Sequence, residues 1–289
     1  MSPLPPSPPA LLHTAFYKFA RLPAPEDVAA RLRELAAQPG EGITGSILVA
    51  TEGINGMVAA APQTIERIEQ ALLHDAAFAG AFEGMVFKRS ACVTPPFGKM
   101  KVHVKKEIVP LGIDGVDARR TGINVSPKDW RELIADPELV LLDNRNSFEF
   151  RIGHFKGAVD PGVTNFRDFP AYVRTHAPEW KAQGKRVAMY CTGGIRCEKT
   201  SAWMLNMGLP VYQLEGGILN YFEQMPDADH DWLGDCFVFD NRVALDTHLR
   251  ETARTLEDVY AQEADGAWRL ARARRLAQAT EPPDRAPAA

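Results

Sequence analysis

The sequence predicts an α/β protein with two successive halves, an N-terminal ferredoxin-like α+β domain and a C-terminal domain built around a parallel sheet. In the first half the patterned segments follow the order β-α-β-β-α-β, which is the ferredoxin-like order. In the second half short apolar strands alternate with helices, which is typical of a parallel sheet covered on both faces. A glycine-containing stretch at residues 112–122 is predicted to link the two halves.

The spacing of the apolar residues predicts the helices and strands of the first half. Val28, Leu32 and Leu35 recur at helical spacing, and the second helix shows the same period. The predicted elements are a strand at 14–19, a helix at 25–37, strands at 45–50 and 57–60, a helix at 63–74 and a strand at 85–89. Asn55 and Gly56 tolerate positive φ, so they predict a tight hairpin turn between the middle strands. For residues 51–56 this structural role is preferred to a functional one, which stays open.

The second half alternates strands with helices. Its predicted elements are helices at 127–134 and 169–176, strands at 140–143, 187–190 and 211–214, and a helix that follows residue 191 and continues through 201–205. In parallel sheets the reactive loops lie at the carboxyl ends of the strands. Asp143 ends one predicted strand and Cys191 follows another, so we expect both at the same edge of the sheet.

The segment after the strand at 187–190 carries the strongest chemical signal. Residues 190–200 read Tyr-Cys-Thr-Gly-Gly-Ile-Arg-Cys-Glu-Lys-Thr, which places Cys191 on a strand-to-helix turn. The two glycines allow backbone N–H groups to point at the sulfur, and these groups, the helix dipole and a guanidinium all lower a thiol pKa. We predict that Cys191 is a thiolate nucleophile and that Arg196 closes its loop. The loop residues are Thr192, Gly193, Gly194 and Ile195.

This loop resembles the active-site loop of rhodanese domains, and residues 141–150 and 153–158 resemble their other signature. Phosphatases of the cell-division-cycle type carry a similar loop with five residues between cysteine and arginine, whereas this chain has four. The smaller loop suits a persulfide or a compact oxyanion better than a phosphate ester. The resemblance implies a rhodanese-like parallel α/β domain. Asp143 and Arg145 are expected to support the loop, although a network with Glu149 and His154 that only satisfies backbone groups is an open alternative.

A second signal is a group of basic side chains, here called the basic stripe. It consists of Lys99, Lys101, His103, Lys105 and Lys106. In an extended segment the first four share one face, with Met100, Val102 and Val104 on the other. The stripe predicts either a solvated strand face or a surface that follows successive backbone phosphates of a nucleic acid.

Composition limits the class of protein. The chain has 289 residues, 45% hydrophobic and 24% charged, with a net charge of −4, which is typical of a soluble globular protein. The proline-rich start has neither the cationic nor the apolar region of a signal peptide, so we expect a cytoplasmic protein without a membrane partner. Four cysteines without a C-x-x-C pair predict reduced thiols and no metal site, and Cys92 and Cys236 are expected to be buried.

Taken together, the motifs resemble those of the bacterial rhodanese-domain tRNA uridine hydroxylases. The resemblance covers residues 14–245 and rests on residues 52–56, 99–112, 191–199, 212–218 and 235–240. It implies an oxidoreductase that converts the wobble uridine of tRNA, position 34 in the anticodon loop, to 5-hydroxyuridine, with Cys191 as the essential cysteine. It also implies molecular oxygen as co-substrate. The sequence shows no flavin, haem or iron motif, so no cofactor is evident and the electron donor is not identified.

The predicted domain organisation follows from the two patterns and this resemblance. It consists of a proline-rich tail at 1–13, a ferredoxin-like tRNA-binding domain at 14–112, a rhodanese domain at 122–227 and a C-terminal extension at 228–289 with a disordered end. Many relatives carry a cysteine-rich segment after the position of Cys236, whereas this chain has no cysteine there. Activity here is therefore expected not to depend on such a segment.

Two other functions remain alternatives. A rhodanese-type sulfurtransferase would use Cys191 to carry a persulfide, and it would not need the basic stripe. A non-catalytic tRNA-binding module would not need an intact Cys191 and Arg196. Protein partners are not indicated by the sequence.

Overall fold

The computed structural model describes residues 11–278, and the chain forms two compact units that divide between Lys105 and Lys106. Residues 273–278 are grouped with the first unit. Most of the predicted proline-rich tail and the predicted disordered end, residues 1–10 and 279–289, lie outside the described residues. None of the helices in residues 11–278 is long and apolar enough to cross a membrane.

The first unit contains the predicted order β-α-β-β-α-β, followed by one further strand. The elements are β1 (Leu11–Phe19), α1 (Pro25–Ala36), β2 (Thr44–Ala50), β3 (Gly53–Ala60), α2 (Pro62–His74), β4 (Phe87–Cys92) and β5 (Met100–Val104). The strands lie in the order β4-β1-β3-β2-β5, and β5 runs parallel to β2 at one edge. The predicted fold class of this half is confirmed.

The prediction of a hairpin turn at Asn55 and Gly56 is wrong. Both residues lie inside β3, where Asn55 pairs with Tyr17 of β1, while the turn itself is formed by the two residues before Gly53. Gly56 is needed for packing, because a Cβ there would lie 2.5 Å from the ring of Phe16. Strand pairing on both sides of β3 therefore overrides the local turn preference of these two residues. β4 is also shifted toward the C-terminus relative to the predicted strand at 85–89.

The second unit is built around a parallel sheet in the order β6-β10-β9-β7. Its strands are β6 (Ile123–Val125), β7 (Val140–Asp143), β8 (Gly153–Phe155), β9 (Val187–Tyr190), β10 (Val211–Leu214), β11 (Trp232–Gly234), β12 (Cys236–Phe237) and β13 (Ala244–Leu245). Its helices are α3 (Pro127–Ile134), α4 (Ser147–Ile152), α5 (Phe169–Ala182), α6 (Ile195–Asn206), α7 (Gly217–Gln224), α8 (Leu256–Tyr260) and α9 (Gly266–Gln278). Short 3-10 helices occur at Ala76–Phe78, Phe166–Asp168 and Ala228–His230.

The position of the reactive loop follows from the pairing of β7 with β9. These strands are parallel neighbours, with Asp143 opposite Tyr190, and the N–H of Asn144 donates to the carbonyl of Tyr190 at 2.9 Å. The segments after both strands therefore leave the sheet at the same edge, as predicted. Tyr190 at the end of β9 packs in a buried cluster that includes Trp130 and Phe155, and this packing fixes the position of the strand end.

Candidate active site

Cys191 lies directly after β9, at the base of the predicted loop. The residue is fully buried, and the N–H of Gly194 donates to its Sγ at 3.1 Å. Gly194 has φ of 96° and forms the N-cap of α6, which begins at Ile195. This left-handed conformation favours glycine and turns the chain sharply enough for the backbone to wrap around the sulfur. The expected cradle of N–H groups is therefore present.

Cys191 and its neighbour Cys197 have opposite shifts in pKa. Burial by itself raises the pKa of Cys191, but a hydrogen bond from the Cys197 thiol, the charge of Arg196 and backbone N–H groups outweigh it. The pKa of Cys191 is held well below its ordinary value as a result. Burial and the adjacent Cys191 sulfur raise the pKa of Cys197 well above its usual range. The opposite shifts favour the thiolate at Cys191 and the thiol at Cys197, with Cys197 as the donor and Cys191 as the acceptor.

Arg196 is held by a carboxylate on a different element. Its Nη1 and Nη2 donate to the two carboxylate oxygens of Glu149 at 2.7 and 2.9 Å, and Nη2 also donates to Oγ1 of Thr192 at 3.2 Å. Burial opposes the ionisation of Glu149, but the charge and hydrogen bonds of Arg196 outweigh it and lower the pKa of that carboxyl. Arg196 therefore links α6 to α4 through a bidentate pair, and its charge still acts on Cys191.

Glu149 is a residue to which the sequence analysis gave only a structural role. It lies in the first turn of α4, where its carboxylate also accepts from the N–H of Asn146 at 3.1 Å in a capping box. An asparagine followed three positions later by glutamate is a helix-start signal. That signal could have placed Glu149 at a helix N-terminus, although it could not have shown the pairing with Arg196.

Asp143 and Arg145 form a fully buried ion pair beside the loop. The Nη2 of Arg145 lies 2.6 Å from Oδ2 of Asp143 and also donates to the carbonyl of Gly153 at 2.6 Å. Its guanidinium lies over the ring of Trp232, 5.4 Å from the centroid. The pair thus ties the end of β7 to the start of β8, the two ends of the segment that carries Glu149.

The sequence analysis missed the contribution of Gly217 and α7. The N–H of Ile218 donates to the carbonyl of Cys191 at 3.0 Å, and the N–H of Leu219 donates to the carbonyl of Thr192 at 3.2 Å. Gly217 has φ of 74°, and a Cβ there would lie 2.5 Å from the carbonyl oxygen of Cys191. The first turn of α7 therefore holds the backbone of the loop from behind. Gly216 and Gly217, which follow β10, were the sequence signal that could have indicated this contribution.

The basic stripe lies in the first unit and at the start of the second. As predicted, Val102 is buried in the core of the first unit, with Met100 and Val104 packed against that core, and the stripe faces the other way. Lys101 is half-buried, whereas the other four stripe residues are exposed. None of the five forms an ion pair with a carboxylate within residues 11–278. β5 is the edge strand of its sheet, and the carbonyl of Val102 in this strand accepts from Nη2 of Arg33 in α1 at 3.0 Å.

The fold and the loop together define a protein with an acylphosphatase-like domain followed by a rhodanese-like domain. The family model for the UPF0176 acylphosphatase-like domain matches residues 11–108, and that for the rhodanese-like domain matches residues 126–224. A curated relative from Nitrobacter winogradskyi, named tRNA uridine(34) hydroxylase, is 46% identical over 240 residues, which is 82% of this chain and 92% of the relative. This chain belongs to the tRNA uridine(34) hydroxylase family, which confirms the resemblance found in the sequence.

Two further proteins illustrate the range of similarity. A relative of the same name from Bradyrhizobium diazoefficiens is 46% identical over 239 residues, covering 82% of this chain and 92% of the relative. Among solved structures, a rhodanese-related protein from Thermoplasma volcanium is 22% identical. It covers 36% of this chain and 93% of its own length, with a TM-score of 0.27.

Proposed function

We propose that this protein hydroxylates the wobble uridine of tRNA, position 34, to 5-hydroxyuridine, with Cys191 as the nucleophile. The observation that carries the proposal is the 46% identity, over most of both chains, to proteins named tRNA uridine(34) hydroxylase. The lowered pKa of Cys191 supports it, because only a thiolate adds readily to a pyrimidine. The names of the relatives support uridine 34 of tRNA as the substrate, and the environment of Cys191 supports this residue as the nucleophile.

The proposed chemistry begins with addition of the Cys191 thiolate to C6 of uracil. The electron pair of the C5–C6 double bond then moves toward C5 and O4, so C5 becomes nucleophilic and forms a bond to oxygen. Loss of the C5 proton and departure of the thiolate restore the double bond. Molecular oxygen is the proposed source of the hydroxyl oxygen: its O–O bond breaks, one oxygen atom stays on C5, and an external two-electron reductant together with two protons converts the other atom to water. The charge of Arg196 favours return of the thiolate at the end of the cycle.

Burial of the nucleophile bears on the second candidate function. Cys191 has no exposed surface, so a base reaches its sulfur only after the groups around the loop move. A persulfide on Cys191 would instead place a reactive sulfur about 2 Å beyond Sγ. This burial and the rhodanese-like domain favour a persulfide sulfurtransferase as the alternative. In that reaction the outer sulfur passes to a thiol or cyanide, and Cys191 leaves as a thiolate.

The proposed partner is the anticodon loop of tRNA. A base in that loop is unpaired and can be turned into a pocket at low cost, and the exposed cations of the basic stripe are suited to the neighbouring phosphates. A cytoplasmic location fits both tRNA and the four free cysteines, because a thiolate nucleophile needs a reducing compartment.

Deletion of the gene tests the function directly. Mass spectrometry of tRNA nucleosides from the deletion strain should show loss of 5-hydroxyuridine and of nucleosides made from it, with uridine in their place. The wild-type gene on a plasmid should restore them. Unchanged 5-hydroxyuridine together with loss of a thiolated product would reject the hydroxylase and favour the sulfurtransferase.

Reversal of two stripe charges tests the role in tRNA binding. The double variant Lys99→Glu with Lys105→Glu should bind tRNA more weakly and flatten the slope of log K against log salt by about two, since each phosphate contact releases condensed counterion. Lys128→Glu reverses an exposed lysine on α3 of the second unit and serves as the control. A double variant with the affinity and salt slope of the wild type would show that the stripe is only a solvated strand face.

A further inference from the structure

Phe239 is an exposed aromatic residue that directly follows three buried residues. Its side chain is 51% exposed, whereas the preceding Phe237 and Val238 are 3% and 4% exposed. Single exposed apolar residues are common on protein surfaces, so exposure alone indicates little. The position of the ring is the informative feature.

The ring of Phe239 lies beside the reactive loop. The guanidinium of Arg196 lies over the ring, 5.8 Å from its centroid, and the same guanidinium is bound to Glu149 and to Thr192. Arg196 is only 7% exposed, so Phe239 presents the aromatic surface next to this buried cation. The ring therefore lies close to the residue whose charge acts on Cys191.

The ring is also held in place by a chain of aromatic contacts. Phe239 packs edge to face on Phe237 at a centroid distance of 4.9 Å, and Phe237 packs in the same way on Phe148 at 5.1 Å. Phe148 lies in α4 directly before Glu149, the partner of Arg196. α4 thus positions both Arg196, through Glu149, and the ring of Phe239, through Phe148 and Phe237. Because the ring is already held in place, little conformational entropy is lost when a ligand packs on it.

We propose that Phe239 is a substrate-binding residue, on whose exposed ring the target uracil of the tRNA stacks next to Arg196 of the Cys191 loop. This inference rests on the proposed function and identifies the group that receives the base. Aromatic side chains are the usual stacking partners of unpaired bases. The guanidinium of Arg196 makes a cation–π contact with the same ring. This contact holds the ring of Phe239 in place and is not a contact with the base. Stacking would orient the base, while Cys191 forms the bond.

The test compares Phe239→Leu with Phe239→Trp on two RNA hairpins, an anticodon stem-loop with uridine at position 34 and the same stem-loop without that base. Leucine keeps an apolar side chain but cannot stack, so the affinity for the uridine hairpin should fall about tenfold. The affinity for the abasic hairpin should not change. Tryptophan should retain the affinity of the wild type. Trp268→Leu is the matched control, because Trp268 is an aromatic residue of similar exposure, 55%, on α9, where the guanidinium of Arg272 lies over its ring.

Three outcomes separate the possibilities. An unchanged affinity of Phe239→Leu for the uridine hairpin, or an equal loss on both hairpins, would overturn the inference. If wild-type protein restores 5-hydroxyuridine in the deletion strain while Phe239→Leu does so equally well, the inference fails and the proposed function stands. If the wild-type protein restores no 5-hydroxyuridine, the proposed function fails first. Thermal unfolding of each variant verifies that the protein is folded, and Phe239→Tyr, which keeps the ring, should behave as the wild type.

Discussion

Cys191→Ser is expected to abolish formation of 5-hydroxyuridine while the protein stays folded. Serine has nearly the shape of cysteine, but its hydroxyl does not ionise at neutral pH, so it offers no thiolate. The N–H of Gly194 and the Cys197 thiol can still donate to the serine oxygen, which keeps the loop closed. The measurement is mass spectrometry of tRNA nucleosides from a deletion strain that carries the variant gene. Restoration of 5-hydroxyuridine by the serine variant would reject Cys191 as the nucleophile.

Cys197→Ser is the matched control for this experiment, since it makes the same change to a buried cysteine in α6. Serine at 197 can still donate a hydrogen bond to the Cys191 thiolate, so we expect most of the activity to remain. Absorbance of the thiolate at different pH values should show that Cys191 still ionises well below the usual range of a thiol. An equal loss of activity in both variants would point to a redox pair formed by the two cysteines.

Glu149→Gln is expected to lower the free energy of unfolding by about 3–5 kcal/mol, because it leaves a buried guanidinium without its carboxylate. Arg196 would then be free to leave the loop, and formation of 5-hydroxyuridine should fall as well. Urea denaturation measures the loss of stability. Glu138→Gln is the control, since the carboxylate that pairs with Lys185 is exposed and an exposed ion pair contributes about 0–1 kcal/mol. Similar losses in the two variants would contradict the structural role of Glu149.

Acid should remove the difference between wild type and Glu149→Gln. The pKa of Glu149 is lower in the folded protein than its ordinary value of 4.5, so the unfolded chain binds its proton first as the pH falls. The contribution of the carboxylate to stability is therefore complete above about pH 4.5 and is lost as the pH falls through the folded pKa. Urea denaturation at a series of pH values should show the two curves converging at the acid end. Parallel curves would mean that Glu149 does not carry the charge that stabilises Arg196.

Features that depend on neighbouring residues were predictable from the sequence. The Cys191 loop, its two glycines and the following helix occupy one short segment, so the strand-to-helix turn and the position of Cys191 on it were predictable. The strict alternation of Met100, Val102 and Val104 with basic residues likewise predicted the two faces of β5, because side chains on a strand point alternately to opposite sides.

The hairpin turn predicted at Asn55 and Gly56 is wrong because the turn preference of a residue depends on its neighbours along the chain, whereas strand pairing depends on residues that can be far away in sequence. β3 pairs with β1 and β2 along its length, and these hydrogen bonds stabilise an extended chain at residues that would otherwise favour a turn. The sequence also contained no indication that β5 pairs with β2, and the reason is the same. Its partner β2 is far away in sequence, and periodicity alone does not show which strands will lie side by side.

The amino-acid sequence by itself determined the order of the elements, the loop that carries Cys191, the alternation of the basic stripe and the family. Only the tertiary structure decided what surrounds the cysteine. Glu149 is 47 positions before Arg196, and Gly217 and Phe239 lie on later segments that the fold brings back to the loop. Sequence patterns report the environment of a residue along the chain, whereas the pKa of a buried thiol depends on charges and donors within a few ångströms in space, whatever their separation in sequence.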